Sequence, residues 1–325
     1  MNFTDANVLI TGGAGFIGSA LARRLATQGA HVTIADSFVP EYGGNMANIE
    51  DILPAVHLSI TDVRDQHSMN YLVQGKDFLF NLAGQTSHLD SMTAPFTDLE
   101  INVRAQLSIL EACRQFNPRI KIVFAGTRQV YGKPDYLPVD EKHPLRPVDV
   151  NGINKLAGEW YHLLYNNVHG IRATVLRLTN TYGPSMRIKD ARQTFVGVWI
   201  RNLLTGQPLE VWGGEQLRDF TYVDDCVEAM LLAAANDTVT GRALDVGAVS
   251  VITLLEPASL LTELHGSGSF TIREFPAERK KIDIGDYYSS DALLRSMLGW
   301  TPTVSLREGM QRTLAYFSSH LERYI

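Results

Sequence analysis

Thr11-Gly12-Gly13-Ala14-Gly15-Phe16-Ile17-Gly18 closes a short apolar run, Val8–Thr11, and opens a helical pattern over Phe16–Gln28. In such a strand–turn–helix, Gly12 permits a tight turn, Gly15 lets the backbone approach a pyrophosphate, and Gly18 lets the helix lie close on the sheet. The helix start, with Phe16 and Ile17 in its first turn, adds free N–H groups and the positive end of a dipole. Asp36 ends the second apolar run roughly twenty residues on, where a carboxylate can bind both hydroxyls of an adenosine ribose. The same carboxylate repels a 2′-phosphate, and no Lys or Arg follows in Ser37-Phe38-Val39. The pattern predicts an NAD site rather than an NADP site. The bland alternative is a tight turn beside a surface aspartate.

Outward from this unit, β-rich apolar runs alternate with helical patterns. Val8–Thr11, His31–Ala35, Val56–Ser59, Phe78–Leu82, Ile120–Ala125 and Thr174–Leu178 read as strands. Phe16–Gln28, Asp65–Gln74, Pro95–Phe116 and Val150–His169 read as helices between them. The expected fold class is α/β, a Rossmann-type doubly wound parallel sheet over residues 1–178. After Thr179, segments rich in Gly, Pro and charge (Tyr182–Asp190, Trp212–Asp219, Pro276–Asp286) separate short strands from helices. Residues 179–325 are therefore expected to form a smaller C-terminal α/β substrate domain, with some segments returning to the first sheet.

The 325 residues are 45% apolar and 20% charged, an ordinary globular balance that builds a sizeable core without staples. A net charge of −6 argues against nucleic acid or an anionic membrane as main partner. Cys113 and Cys226 are the only cysteines, too few for a disulfide framework or a cysteine metal cluster. The nine histidines lack metal-ligand spacing, so no metal is expected. No apolar run reaches membrane-spanning length, and the polar start shows no signal peptide. The expected location is the cytoplasm.

Other segments extend the pattern. Asp62-Val63-Arg64-Asp65 follows the third strand and Asn81-Leu82-Ala83-Gly84 ends the fourth. Asn102-Val103 lies in the next helix, and Leu176-Arg177-Leu178-Thr179-Asn180-Thr181-Tyr182-Gly183-Pro184 and Arg218-Asp219-Phe220-Thr221-Tyr222-Val223-Asp224-Asp225 come later, before Leu298-Gly299-Trp300-Thr301-Pro302. With the Gly-x-x-Gly-x-x-Gly spacing, these resemble the extended short-chain dehydrogenase/reductase family, specifically its sugar-nucleotide epimerases and dehydratases, over nearly the whole chain. The resemblance implies that Asp62 and Val63 hold the adenine, that Leu82, Ala83 and Gly84 pass under the cofactor, and that Asn102 and Lys155 belong to the cofactor site. It implies substrate contacts from Thr127, Arg128, Asn180, Gln193 and Arg218, the last as a guanidinium fork on a pyrophosphate. It also implies a homodimer paired through the helices that carry Asn102 and Lys155.

The catalytic motif is broken. By resemblance Thr127 is the hydroxyl that bonds the sugar oxygen being oxidised, and a Tyr-x-x-x-Lys pair should follow on a helix. The ammonium of that pair lowers the phenol pKa so that the phenolate can act as base. This sequence reads Asn151-Gly152-Ile153-Asn154-Lys155. A carboxamide does not ionise usefully and cannot be the base. Three readings stay open: another base, a water held by Asn151, or ligand binding without turnover. Gln85-Thr86-Ser87-His88-Leu89-Asp90-Ser91 is similar to the Ser-His-Val-Asp stretch of the dehydratases and offers His88, which titrates near neutrality. His88 could equally only bond the sugar or pack in its loop. Tyr131 is a second candidate. The dehydratases carry Asp-Glu directly after the threonine, where Arg128 and Gln129 stand here, so elimination of the usual type is disfavoured. Arg128 could hold an acidic group on the sugar, or be a solvated arginine.

The expected function is an NAD-dependent sugar-nucleotide epimerase with a non-standard acid/base, using Thr127 and Lys155, with Asn151 as orienting group. A dehydratase or related lyase is the alternative among enzymes. A silent NAD- or sugar-nucleotide-binding protein is the alternative of another class.

Overall fold

Buried strands with helical crossovers can satisfy their backbone and cover both faces only as a parallel sheet between helix layers. The computed structural model describes residues 2–42, 44–275 and 283–325; the run 276–282, part of the charged segment 276–286, lies outside the described residues. Its strands are β1 (Asn7–Thr11), β2 (His31–Asp36), β3 (Val56–Ile60), β4 (Phe78–Asn81), β5 (Lys121–Thr127) and β6 (Arg172–Leu178), then β7 (Asn180–Tyr182), β8 (Leu209–Trp212), β9 (Leu217–Tyr222), β10 (Ala243–Asp245), β11 (Val251–Thr253) and β12 (Phe270–Arg273). Seven of them form one sheet in the order β3-β2-β1-β4-β5-β6-β10, every neighbour parallel. The order reverses between β1 and β4, which opens a crevice at their carboxyl ends. β10 comes from the second half of the chain. The remaining strands build two small sheets, β11-β9-β7 and β12-β8.

The helices that position the site are α1 (Phe16–Thr27), α2 (Gln66–Leu72), α3 (His88–Thr93), α4 (Pro95–Leu99), α5 (Ala105–Phe116), α6 (Val150–His169), α7 (Phe195–Leu204) and α8 (Val223–Ala235). One sheet face packs on α1 and α8 through residues such as Leu21, Leu25, Val227 and Met230. The other packs on α2, α5 and α6 through Met69, Ile109, Cys113 and Tyr165. The expected helix over 95–116 is interrupted by a π turn at Glu100–Arg104, where Gln106 Nε2 donates to the Ile101 carbonyl (3.0 Å). Two helices were not expected, α3 and Ala292–Leu298. The α3 run His-Leu-Asp-Ser-Met-Thr has no apolar period. It is started by Ser87, whose hydroxyl accepts from the Asp90 N–H (3.1 Å). The tail is tied to α8 by Asp225, which accepts from the N–H groups of Thr303 (2.9 Å) and Val304 (3.1 Å).

The turn that opens the crevice leaves no room for a side chain at Gly12 or Gly18. Gly12 has φ +69°, and a Cβ there would stand 2.9 Å from the Ala83 nitrogen. A Cβ on Gly18 would stand 2.2 Å from the Gly12 carbonyl oxygen and 2.8 Å from Gly13 Cα. These neighbours are backbone, so nothing flexible can move aside. Gly18→Ala is therefore expected to lower stability by about 1–3 kcal/mol and to weaken NAD binding by displacing α1. Thermal unfolding and calorimetric titration with NAD on the stripped protein check both effects. Wild-type values in both would refute the close approach.

Candidate active site

At the carboxyl ends of β1, β4 and β5 lies a cleft of about 260 Å³. Its floor is the glycine turn, and α1 starts there without a side-chain cap or an acidic residue in its first turn. Its opening N–H groups are thus free for a diphosphate. The turn is held in place because Asp36 Oδ2 accepts from the Ala14 N–H (3.0 Å), while Oδ1 accepts from Phe38 (2.9 Å). Burial pushes the Asp36 carboxyl up despite these backbone donors. Nearby Arg64 is occupied by Asp62 through a two-pronged pair (3.0 and 2.6 Å). A 2′-phosphate at Asp36 would therefore meet a carboxylate, with no unpaired cation beside it among the described residues. Gly12, Gly15, Phe16, Ile17, Gly18, Asp36, Asp62, Val63, Leu82, Ala83 and Gly84 all line this cleft. So do Thr127, Arg128, Asn151, Asn180, Gln193, Lys155 and His88. The residues present fit a nicotinamide dinucleotide. Tyr42 and Gly44 also line it and were missed, because they sit in a loop without a motif, and Arg64, inside the Asp62–Asp65 run, was given no role.

Asn102 was expected in the cofactor site. It is 1% exposed and lies one layer below the cleft. Its Nδ2 donates to the Gln85 carbonyl (2.9 Å), and its Oδ1 has no partner among the described residues. That oxygen faces Gly84, where a Cβ would approach it to 2.9 Å. Placed in the π turn, the side chain supports the cofactor loop from beneath rather than from inside the cleft.

Lys155 is 8% exposed, donates to the Ala125 carbonyl (2.6 Å) and lies 4.6 Å from the Phe124 ring centroid. Burial pulls its pKa down to about 8, with Asp98 and Glu159 opposing. Asn151 was expected to aim its amide at the reacting sugar. Its NH₂ turns inward instead, to the Gln85 carbonyl (2.8 Å), Gln85 Oε1 (3.2 Å) and Asp98 Oδ2 (3.0 Å). Asn154 Nδ2 takes the other Asp98 oxygen (2.7 Å). A fully buried carboxylate needs such donors, so Asp98 draws the amide away from the cleft. Tyr131 is also corrected as a base. It is fully buried, donates to Asp245 (2.7 and 2.9 Å) and accepts from Arg177 (2.5 Å), which also pairs with Glu159. Burial raises its pKa far beyond use.

A second cavity of about 580 Å³ lies against the first, with Phe195, Val198 and Trp199 of α7 on one wall and Arg218 on another. Arg218 is 7% exposed, donates to the carbonyls of Leu217 (2.8 Å) and Gly285, and lies 3.6 Å from Asp283. Burial and the charge of Arg128 lower its pKa to about 10. Arg128 is not a solvated arginine. Its Nη2 donates to Asn180 Oδ1 (3.2 Å), its guanidinium covers the Tyr287 ring (4.9 Å), and its buried Nη1 has no partner among the described residues. Gln193 Oε1 accepts from the Arg187 N–H (2.8 Å), and Thr127 Oγ1 accepts from Gln129 (3.3 Å).

The two spaces meet at His88, Arg128, Gln129, Asn180, Gln193 and Thr194, which line both. His88 Nδ1 is 2.8 Å from Asp149 Oδ2, and its Nε2 is 3.0 Å from Gln129 Nε2. Asp149 and Gln129 were not anticipated as partners of His88. The one available signal was that an Asp just before Val150 suits a helix cap. Burial raises the Asp149 pKa, but the hydrogen bond from His88 and the charges of His88 and Arg128 hold it below the ordinary carboxylate value.

A dinucleotide cleft joined to an arginine-walled cavity defines a two-ligand enzyme site of the Rossmann class. Residues 8–247 match the NAD dependent epimerase/dehydratase family, and the chain belongs to it. A putative UDP-glucose 4-epimerase of Methanocaldococcus jannaschii is 32% identical over 317 residues, covering 96% of this chain and 99% of that protein. An epimerase of Methanothermobacter thermautotrophicus superposes with a TM-score of 0.92 at 25% identity, covering 98% of this chain and 94% of that one. The UDP-glucuronic acid 4-epimerase of Bacillus cereus, solved with UDP-glucuronic acid and NAD, gives 0.86 at 25% identity, covering 97% and 99%.

Lys155 makes stability depend on pH in a definite direction. Unfolded it keeps its proton to about 10.4, but folded only to about 8. Between those values the unfolded chain binds more protons, so stability rises with pH through that window and falls as pH drops through it. Lys155→Met should remove that rise, stabilising the nucleotide-stripped protein at pH 7 by on the order of 2–3 kcal/mol and by little near pH 10.5. Denaturant unfolding of both proteins across this range measures it. A difference independent of pH would contradict the buried ammonium.

Proposed function

We propose that the protein is an NAD-dependent epimerase of a nucleotide-linked sugar, working with an acid/base other than tyrosine. The observation that carries this reading is the meeting of the two cavities at His88, Arg128, Gln129 and Asn180. NAD, when bound, supplies a hydride acceptor that returns the hydride, which makes oxidation and reduction of one sugar carbon a closed cycle. The chain's own part is to bind, orient and move protons. Arg218 and the unpartnered Nη1 of Arg128 offer donors to the substrate's anionic groups, a setting in which a guanidinium acts as a fork. The apolar α7 wall suits a base. Thr127 offers its hydroxyl to the reacting oxygen, Lys155 holds the cofactor, and Asn151 braces the floor through Gln85. The relatives named for UDP-sugars make UDP the nucleotide to try first. The two cysteines are free and buried, which suits a reducing compartment, and we place the protein in the cytoplasm.

A panel of UDP-glucose, UDP-N-acetylglucosamine and UDP-glucuronic acid, with dTDP-, GDP- and CDP-glucose, tests this directly. Epimer formation without added cofactor is expected for at least one. Loss of water or carbon dioxide would make the protein a lyase, and binding without turnover would make it a silent binder. Arg218→Ala should weaken UDP binding roughly tenfold to a hundredfold, as expected for a charge-assisted bond of about 1.5–3 kcal/mol. NAD affinity should stay within threefold. Equal UDP affinity in the variant would place Arg218 outside the site.

We also infer a homodimer. The outer face of α6 exposes Ile153, Trp160, Leu164 and Val168, and the adjoining helix run exposes Phe96 and Leu99. Such a stripe on two adjacent helices suits packing against its own copy as a four-helix bundle. Light scattering should report a dimer for the wild type and a monomer for Trp160→Glu with Leu164→Glu. A monomeric wild type at micromolar concentration would overturn this.

A further inference from the structure

We propose that His88 is the proton-transfer group of this enzyme and that Asp149 is its positioning residue, the pair replacing the tyrosine absent from position 151. This deepens the epimerase reading above and rests on it.

The geometry comes from two helix starts. Asp149 is the N-cap of α6 and is 4% exposed. Its Oδ1 accepts from the Gly152 N–H (2.6 Å), which fixes the carboxylate, and Oδ2 is left for the imidazole at 2.8 Å. His88 opens α3, and a second stitch joins the same two helix starts, from the Asn151 N–H to Ser91 Oγ (3.2 Å). A carboxylate only accepts, so His88 Nδ1 must carry the proton and Nε2 is the free lone pair. That nitrogen faces the junction of the two cavities, with Gln129 Nε2 at 3.0 Å. Gln129 can donate to the neutral ring and, turned over, accept from the imidazolium, so it tolerates both states. An entering sugar hydroxyl displaces that amide from Nε2.

The charged groups around His88 are Asp149 on α6, Arg128 after β5, and the Asp90–Arg192 pair (2.6 Å) beside α3. Among the residues lining both cavities, His88 is the one imidazole, a group that can take up and return a proton. In the forward step the O–H bond breaks and its proton goes to Nε2. With NAD bound as hydride acceptor, that carbon–oxygen bond would become a carbonyl. Asp149 stabilises the resulting imidazolium, and His88 returns the proton when the hydride comes back. The cycle needs no further oxidant or reductant. Lys155, bonded to the Ala125 carbonyl, has no phenol to activate and takes no proton in it.

Three proteins, each NAD-loaded, test this: wild type, His88→Gln and Asp149→Asn. Asparagine also caps helices well, so Asp149→Asn keeps the Gly152 contact and loses the charge. Long-range ¹H–¹⁵N correlation spectra should show the Nδ1–H tautomer of His88 in the wild type and a shift toward the Nε2–H tautomer in Asp149→Asn, whose amide NH₂ donates to Nδ1, with unfolding temperatures alike. UDP-glucose or whichever panel sugar turns over, but not UDP alone, should shift the Nε2 resonance. For that substrate His88→Gln should lower kcat by ~10²–10⁴-fold, the usual span of a general base, and Asp149→Asn by about tenfold or more, each with KM within threefold. An Nε2–H tautomer in the wild type, no sugar-dependent shift at Nε2, or kcat within threefold in His88→Gln would each overturn the proposal. No turnover by the wild type, with the Nδ1–H tautomer and a sugar-dependent Nε2 shift, would instead sink the epimerase reading and keep the sugar hydroxyl on His88.

Discussion

The fold depends on one crossing of backbone on backbone. At the reversal of strand order the chain passes from β1 through Gly12 against the β4 loop at Ala83, and α1 leans back on the same turn at Gly18. Three segments share a space that admits no Cβ. Because the contact is between main chains, it fixes where α1 begins to within a fraction of an ångström, and so fixes its free N–H groups. Asp36 then locks the turn from the side through the Ala14 N–H. The cofactor cleft is thus a by-product of how the sheet is wound.

The substrate side is built differently, from side chains that satisfy one another. Asp98 collects the amides of Asn151 and Asn154, which pins the inner start of α6 to α4. With position 151 committed to that task, the surface left for chemistry is the outer lip of the same helix start, where Asp149 meets His88. Burying a polar pair is worthwhile only if every member is satisfied. The amides at 151 and 154 achieve that around Asp98, and the Asn151 amide also reaches the Gln85 carbonyl and Oε1.

What the sequence made legible follows from how local each signal is. Gly12, Gly15, Gly18, Asp36 and Lys155 act at fixed spacings within one strand–turn–helix or one helix, so their geometry is implied by their positions. Asn102 shows the limit. By motif it was expected in the cofactor site, and the π turn around it directs the amide to the Gln85 carbonyl. The Asp149–His88 contact spans 61 positions and joins two helix starts, one of which has no apolar period. Periodicity cannot see such a pair, and only the capping preference of Asp149 left a trace. Tyr131 failed as a base for a similar reason, since its partners Asp245 and Arg177 come from β10 and β6.

That last cluster bears on how the chain can be divided. Arg177, Glu159, Tyr131 and Asp245 form a buried ionic knot whose members come from both sides of residue 178. The edge of β6 is closed by β10 along Val175, Leu176 and Arg177. A fragment ending at 178 would keep the arginine and the tyrosine, lose their aspartate, and bare a strand edge that invites intermolecular pairing. The 178/179 border is therefore crossed by the main sheet and by both cavities, whose walls draw residues from each side of it. A gene truncated at 178 should thus yield aggregate.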